Sequence, residues 1–168
     1  DNRCIRCGQC VHSCPFGAIS TKTHLLQVIS AIKEGKEVYA MCAPATEGQF
    51  GNDISMSAIR VALKKLGFTD MVEVGLGGDM TAAYEALEWS EARKEGKKMT
   101  TSCCPAFINL LKIHFPDQYH ENMSETLSPM AAVSRYLKAI HPDCVTVFIG
   151  PCMAKKSESQ EMGIEGNA

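Results

Sequence analysis

The sequence predicts an α/β fold: a four-stranded, mainly parallel sheet with flanking helices, preceded by a small cysteine-rich segment. Three observations carry this. Short apolar runs alternate with stretches of helical period from residue 23 onward. The chemically unusual residues fall just after those runs, and open α/β sheets bind ligands at the carboxyl ends of their strands. Finally, four of the nine cysteines lie within the first fourteen residues. A chain of 168 residues holds one ordinary domain and a small appendage. The polar stretch 21–23 is the natural boundary, giving units 1–22 and 23–168.

The elements follow in order. Residues 24–32 have helical spacing, and Gly35 ends them. Val38-Tyr39-Ala40-Met41-Cys42 reads as a buried strand stopped by Ala43-Pro44. Ile54, Ile59, Leu63 and Leu66 mark a helix over 54–66, with Gly67 beyond it. Residues 71–74 form a second strand, Gly75-Leu76-Gly77-Gly78 a turn, and Asp79 the cap of a helix running to Lys94. Residues 97–101 are expected to be a third strand. Pro105 opens a helix through Ile108, Leu111 and Ile113. Ser128-Pro129 is an N-cap and first-turn pair for a helix to Ile140. Residues 144–149 are the fourth strand.

Composition excludes several classes. The chain is 45% apolar and 21% charged, with a net charge of −2. Nothing in that balance calls for nucleic acid or an anionic membrane as partner. No apolar run approaches the ~18 residues that span a bilayer. Nine cysteines, odd in number and clustered, suit metal binding in a reducing compartment such as the cytoplasm better than disulfide pairing. The chain opens on Asp1 without methionine and stops soon after a motif, so the expectation is a piece of something longer.

Cys4, Cys7, Cys10 and Cys14 follow the pattern C-x2-C-x2-C-x3-C, with Pro15 next. Thiolates are soft ligands for iron–sulfur clusters and for zinc. Four-cysteine zinc sites usually come as two C-x2-C pairs across a long spacer. This run instead has the bacterial ferredoxin spacing of 4Fe–4S proteins. Turns should gather Cys4, Cys7 and Cys10 around one cluster, with Cys14 directed to another, and residues 16–19 packing beneath. The matching second run is absent from these residues and is expected upstream.

The strand ends carry the rest. Cys103-Cys104 follows the third predicted strand and Cys152 the fourth. GLGGD (75–79) lacks the dinucleotide pattern G-x-G-x-x-G and reads as a turn before a helix. TSCCPAF (101–107) and IGPCMAKKSE (149–158) resemble the first two active-site signatures of the FeFe hydrogenases. The ferredoxin run, VYAMCAPA and GGDMT…E extend the similarity in the same order. The resemblance implies one lobe of a two-lobed hydrogenase domain. Its cofactor is the H-cluster, a 4Fe–4S cubane joined to a two-iron unit bearing carbon monoxide, cyanide and a bridging dithiolate amine. By position, Cys104 and Cys152 match two cubane ligands. The other two belong to a third signature that these residues do not reach, so the 168 residues alone are expected to be inactive.

The resemblance also assigns a proton relay. Cys103 matches its first thiol, Glu85 and Glu88 its carboxylates, and Ser124 the hydroxyl between them. For two helix glutamates alone, a solvated face is the simpler reading. Lys155 is implied to hydrogen-bond an iron-bound cyanide, Lys156 to meet solvent, and Glu158 to pair with a lysine nearby. Implied partners are H2 and protons, ferredoxin or another electron carrier, and maturation enzymes. Phe107 replaces a usual tryptophan, Ala45 a serine and Gly150 a methionine. Gly150 is expected to leave space beside the two-iron unit. Such changes also suit an H2-sensing relative, and a non-enzymatic iron–sulfur carrier or assembly protein is the third class. Cys42 and Cys144 are expected in the core.

Overall fold

The computed structural model describes residues 2–161. Its elements are α1 (Gln9–Ser13), α2 (Leu25–Lys33), β1 (Val38–Cys42), a 3-10 turn (Pro44–Thr46), α3 (Met56–Lys65) and β2 (Asp70–Glu73). There follow α4 (Gly75–Lys94), α5 (Pro105–His114), α6 (Pro116–Asn122), α7 (Pro129–Ile140), β3 (Val145–Ile149) and α8 (Lys155–Glu161). The three strands form one sheet in the order β2-β1-β3, and both pairs are parallel. Every residue of β1 is buried. A central parallel strand covered on both faces requires such a continuous apolar run.

Helices cover the two faces. Tyr39 and Met41 pack with Val74 and with Met130, Val133 and Leu137 of α7. Ala40 and Cys42 meet Ile59 and Leu63 of α3, and Val38 and Val147 meet Ala31 of α2. Each fully buried side chain of this size contributes about 1.5–3 kcal/mol. Two serine caps set helix starts: Ser55 accepts the Ala58 N–H at 3.2 Å, and Ser128 accepts that of Ala131 at 3.3 Å. Cys42 and Cys144 are buried in this core, as expected, and burial pushes both thiols up.

Three expectations are corrected. Among the described residues the sheet has three strands, not four. The segment expected as a strand over 97–101 is not in the sheet, because Lys97 and Lys98 cannot be buried on both faces. Thr100 instead pairs in a single parallel bridge with Met123, its N–H donating to Asn122 O at 2.7 Å while its carbonyl accepts from Ser124 N–H at 3.0 Å. Residues 75–78 are the first turn of α4 rather than a loop, and Asp79 lies inside that helix. Gly77 is buried there. A Cβ on it would overlap the Pro129 carbonyl oxygen and lie 2.7 Å from Val133 Cγ2, so glycine lets α4 approach α7. Lastly, residues 16–19 do not pack beneath the cysteine run: Phe16 is 90% exposed. So short a segment has too few apolar side chains for a core of its own.

Candidate functional site

The carboxyl edge of the sheet positions the site. β3 leads through Gly150 and Cys152 into α8, and Cys104 immediately precedes Pro105, the first residue of α5. Cys103, Cys104 and Cys152 are all exposed. Lys155 Nζ donates to the Cys103 carbonyl at 3.3 Å, tying the second signature to the first. The same ammonium donates to Glu158 Oε2 at 2.6 Å, in an ion pair whose side chains are only 11% and 6% exposed. Glu158 thus pairs locally, as its spacing suggests. Removing either partner would strand the other charge away from water.

Lys156 and Gly150 depart from expectation. Lys156 does not simply meet solvent: Nζ donates to Thr21 Oγ1 at 3.0 Å and to Lys22 O at 2.8 Å. Gly150 leaves no room, because a Cβ there would lie 2.8 Å from Phe148 Cζ and 2.9 Å from Ala43 Cβ. The Phe148 ring fills the space that the sequence suggested was open. Phe107 is half-buried, and Ala45 is exposed in the 3-10 turn.

On α4, Glu85 and Glu88 are half-buried while Tyr84, Leu87 and Trp89 are exposed. The bridge between Thr100 and Met123 explains this inversion, because it lays two hydroxyl-rich segments side by side against the helix. Glu85 accepts from Thr101 Oγ1 at 2.7 and 2.9 Å and from Ser102 N–H at 2.9 Å. The Cys103 N–H donates in turn to Thr101 Oγ1 at 3.4 Å. Glu88 accepts from Ser124 Oγ at 2.6 Å, Glu125 N–H at 2.8 Å and Thr126 Oγ1 at 3.0 Å. Ser102 Oγ donates to the Thr126 carbonyl, joining the two sets. Burial alone pushes the Glu88 carboxyl up. The donors from Ser124, Glu125 and Thr126 outweigh it and hold the group below its ordinary value.

Ser124 therefore meets Glu88 rather than Glu85, and the link to Glu85 runs through Thr101 and Ser102. Thr101, Ser102 and Thr126 were missed from sequence. Isolated loop hydroxyls carry no periodic signal, although TS immediately before CC was a usable hint. A cavity of about 440 Å³ opens beside these groups, with Ser102, Ser124, Thr126 and Glu158 in its wall.

The cysteine segment lies against the same region. Gly8, at φ 83°, sits so close to Met153 that a Cβ would lie 2.5 Å from Met153 Cγ. Asn109 Nδ2 of α5 donates to Ile5 O at 3.3 Å, and His114 Nε2 lies 3.3 Å from Arg3 O. Residues next to Cys152 and following Cys104 thus touch the run that carries Cys7 and Cys10. Among the described residues, no three His, Cys, Asp or Glu side chains are gathered to hold a metal ion. Gathering Cys4, Cys7 and Cys10, the convergence their spacing leads one to expect, belongs to the free energy of metal binding.

The donor chemistry nevertheless fits an iron–sulfur cluster. Cys4, Cys7 and Cys10 are exposed free thiols, and the Arg6 N–H points at Cys4 Sγ at 3.4 Å. Backbone N–H groups of Ala18 and Phe16, with smaller help from Ile19 and Gly17, hold the Cys14 thiol below its ordinary value despite some burial. Thiolate is the ligating form. Cys104 and Cys152 fit in type but provide only two thiolates.

Comparison with known proteins bears on this arrangement. A family model described as the C-terminal domain of the iron-only hydrogenase large subunit matches residues 36–167, and one described as a 4Fe–4S binding domain matches residues 1–20. A subunit of an NADP-reducing hydrogenase from Solidesulfovibrio fructosivorans is 28% identical over 99% of this chain and 33% of its own length. Iron hydrogenase 1 of Clostridium pasteurianum is 30% identical over 90% of this chain and 29% of its own length. The chain thus spans about a third of the length of these relatives.

Proposed function

The chain belongs to the iron-only hydrogenase large-subunit family, and from that premise we propose that it is part of an iron–sulfur enzyme interconverting H2 with two protons and two electrons. Cys4, Cys7 and Cys10 are the residues to hold one 4Fe–4S cluster, with Cys14 a ligand to another, within a unit of residues 1–22. Cys104 and Cys152 are two of the thiolates for the H-cluster, within the unit 23–168. When bound, these groups supply one-electron transfer and the metal centre at which H2 is made or split. Electrons come from ferredoxin or a similar carrier.

The observation that carries the reading is the pair of half-buried α4 carboxylates, Glu85 hydrogen-bonded to Thr101 and Ser102 just before Cys103 and Glu88 to Ser124 and Thr126 of the segment paired with them. In this role Cys103 Sγ exchanges a proton with the active site. Glu85 accepts and returns that proton, oriented by Thr101 and Ser102. Glu88 carries it outward, oriented by Ser124 and Thr126. Fixed donors around each carboxylate lower the reorganisation that each transfer needs. Lys155, held by Glu158 and the Cys103 carbonyl, presents a fixed positive charge to an anionic iron ligand.

The test separates two adjacent cysteines in the full-length protein. Cys103→Ser should keep its iron but lose turnover by roughly 10²–10⁴-fold, because a far weaker acid replaces the thiol. Cys104→Ser should lose iron. Equal iron loss in both would contradict the division of roles.

A further inference from the structure

We propose that Lys156 is a positioning residue, a clasp that fixes the cysteine segment against the loop bearing Cys152. The inference rests on the hydrogenase reading only for its functional consequence; the clasp itself stands on contacts. Lys156 and Lys155 are adjacent on α8 but point to different partners. Lys155 faces Glu158 and Cys103, whereas Lys156 reaches across 135 positions of sequence to Thr21 Oγ1 and Lys22 O. Both acceptors lie in the stretch between α1 and α2 that has no regular structure of its own. Such a linker takes its path from whatever holds it.

Three further contacts make the clasp directional. Met153, three residues before Lys156, abuts Gly8, while Asn109 and His114 of α5 hold the carbonyls of Ile5 and Arg3. Met153 in the loop after Cys152 and Lys156 at the start of α8 therefore grip the segment at two places, near its cysteines and at its exit. A single ammonium with two acceptors is an economical anchor, because it restrains the linker in two directions at once. Electron transfer between two centres falls exponentially with their separation. Lys156 thus sets the transfer rate between the segment's cluster and the Cys152 site without touching either.

The experiment compares wild type with Lys156→Met, which keeps the length but removes the donors, and with Lys156→Arg. Limited proteolysis of the 168-residue chain reads the clasp directly, because the linker is held through a hydroxyl and a carbonyl and its path is what a protease senses. Lys156→Met should speed cleavage within residues 20–24 at least tenfold and leave β1 uncut, and Lys156→Arg should restore resistance. Thr21→Val, removing one acceptor from the other side, should shift the same cleavage in the same direction by less. In the reconstituted full-length protein, Lys156→Met should slow reduction of the active site through the N-terminal cluster at least tenfold with iron content unchanged. Wild-type cleavage at 20–24 in the methionine variant, or an unaltered transfer rate, would overturn the proposal. Failure of the wild-type protein to take up iron would count against the hydrogenase reading alone, since the proteolysis experiment needs no cluster.

Discussion

Glu88 accepts three hydrogen bonds, from the buried Ser124, the half-buried Thr126 and the N–H of the exposed Glu125. Glu88→Ala should leave Ser124, Thr126 and the Glu125 N–H short of an acceptor and cost about 1–3 kcal/mol in denaturant unfolding. Glu88→Gln keeps one carbonyl acceptor and should cost less. The pH dependence has a definite sign. The folded carboxyl is held below its ordinary value, so its contribution is present above the unfolded pKa, ~4.3. It is lost as pH falls through the folded value. The stability gap between wild type and Glu88→Gln should therefore be full near pH 7 and shrink below about pH 4. At this scale local pattern does not announce a sheltered role: two glutamates three apart look like a solvated face. Their environment comes from residues 100–102 and 122–126, whose pairing is a long-range event that no local pattern announces.

Element starts were largely legible. Ser128 caps where its chemistry predicts, and β1 occupies residues 38–42 as its apolar run requires, whereas α3 starts at Met56 behind a Ser55 cap rather than at Ile54. The exceptions are a strand and a turn. The segment around Thr100 has strand-like pairing but the wrong partner, and the glycine cluster of α4 serves helix packing, which looks locally like turn chemistry. Two substitutions separate packing from propensity. Gly77→Ala forces a methyl onto Pro129 and Val133 and should destabilise by about 1–3 kcal/mol. At Gly78 nothing stands within 4 Å of an added Cβ, so Gly78→Ala should be neutral or stabilise by about 0.5–1 kcal/mol. Equal effects on thermal unfolding would refute the close approach. The edge of the sheet carries a second pH-sensitive contact, where Arg60 holds the Asp70 carboxyl well below the usual carboxylate range through bonds of 2.6 and 2.5 Å. Asp70→Asn should lower the unfolding midpoint at neutral pH, and the difference should fade below about pH 4, where the unfolded carboxyl protonates.

For the whole molecule, the ferredoxin spacing and the two signatures identified the parts, but not how they meet. Gly8 sits against Met153, which lies 145 positions away and becomes its neighbour only in the folded chain. Gly8→Ala meets both a left-handed backbone and that side chain, and should loosen the segment so that a protease cuts residues 20–24 faster, with the sheet intact. The same assembly gives the central claim its content: the cysteine run and the proposed thiol–carboxylate relay are both tied to the segment that follows β3. The most direct measurement is infrared spectroscopy of the full-length protein, produced anaerobically with the maturation enzymes, alongside H2 evolution from a reduced viologen. Bands of iron-bound carbon monoxide and cyanide together with H2 evolution, both abolished in Cys104→Ser and Cys152→Ser, are the predicted result. A protein that holds its 4Fe–4S clusters yet shows neither the bands nor H2 would contradict the account and mark the chain as an iron–sulfur carrier.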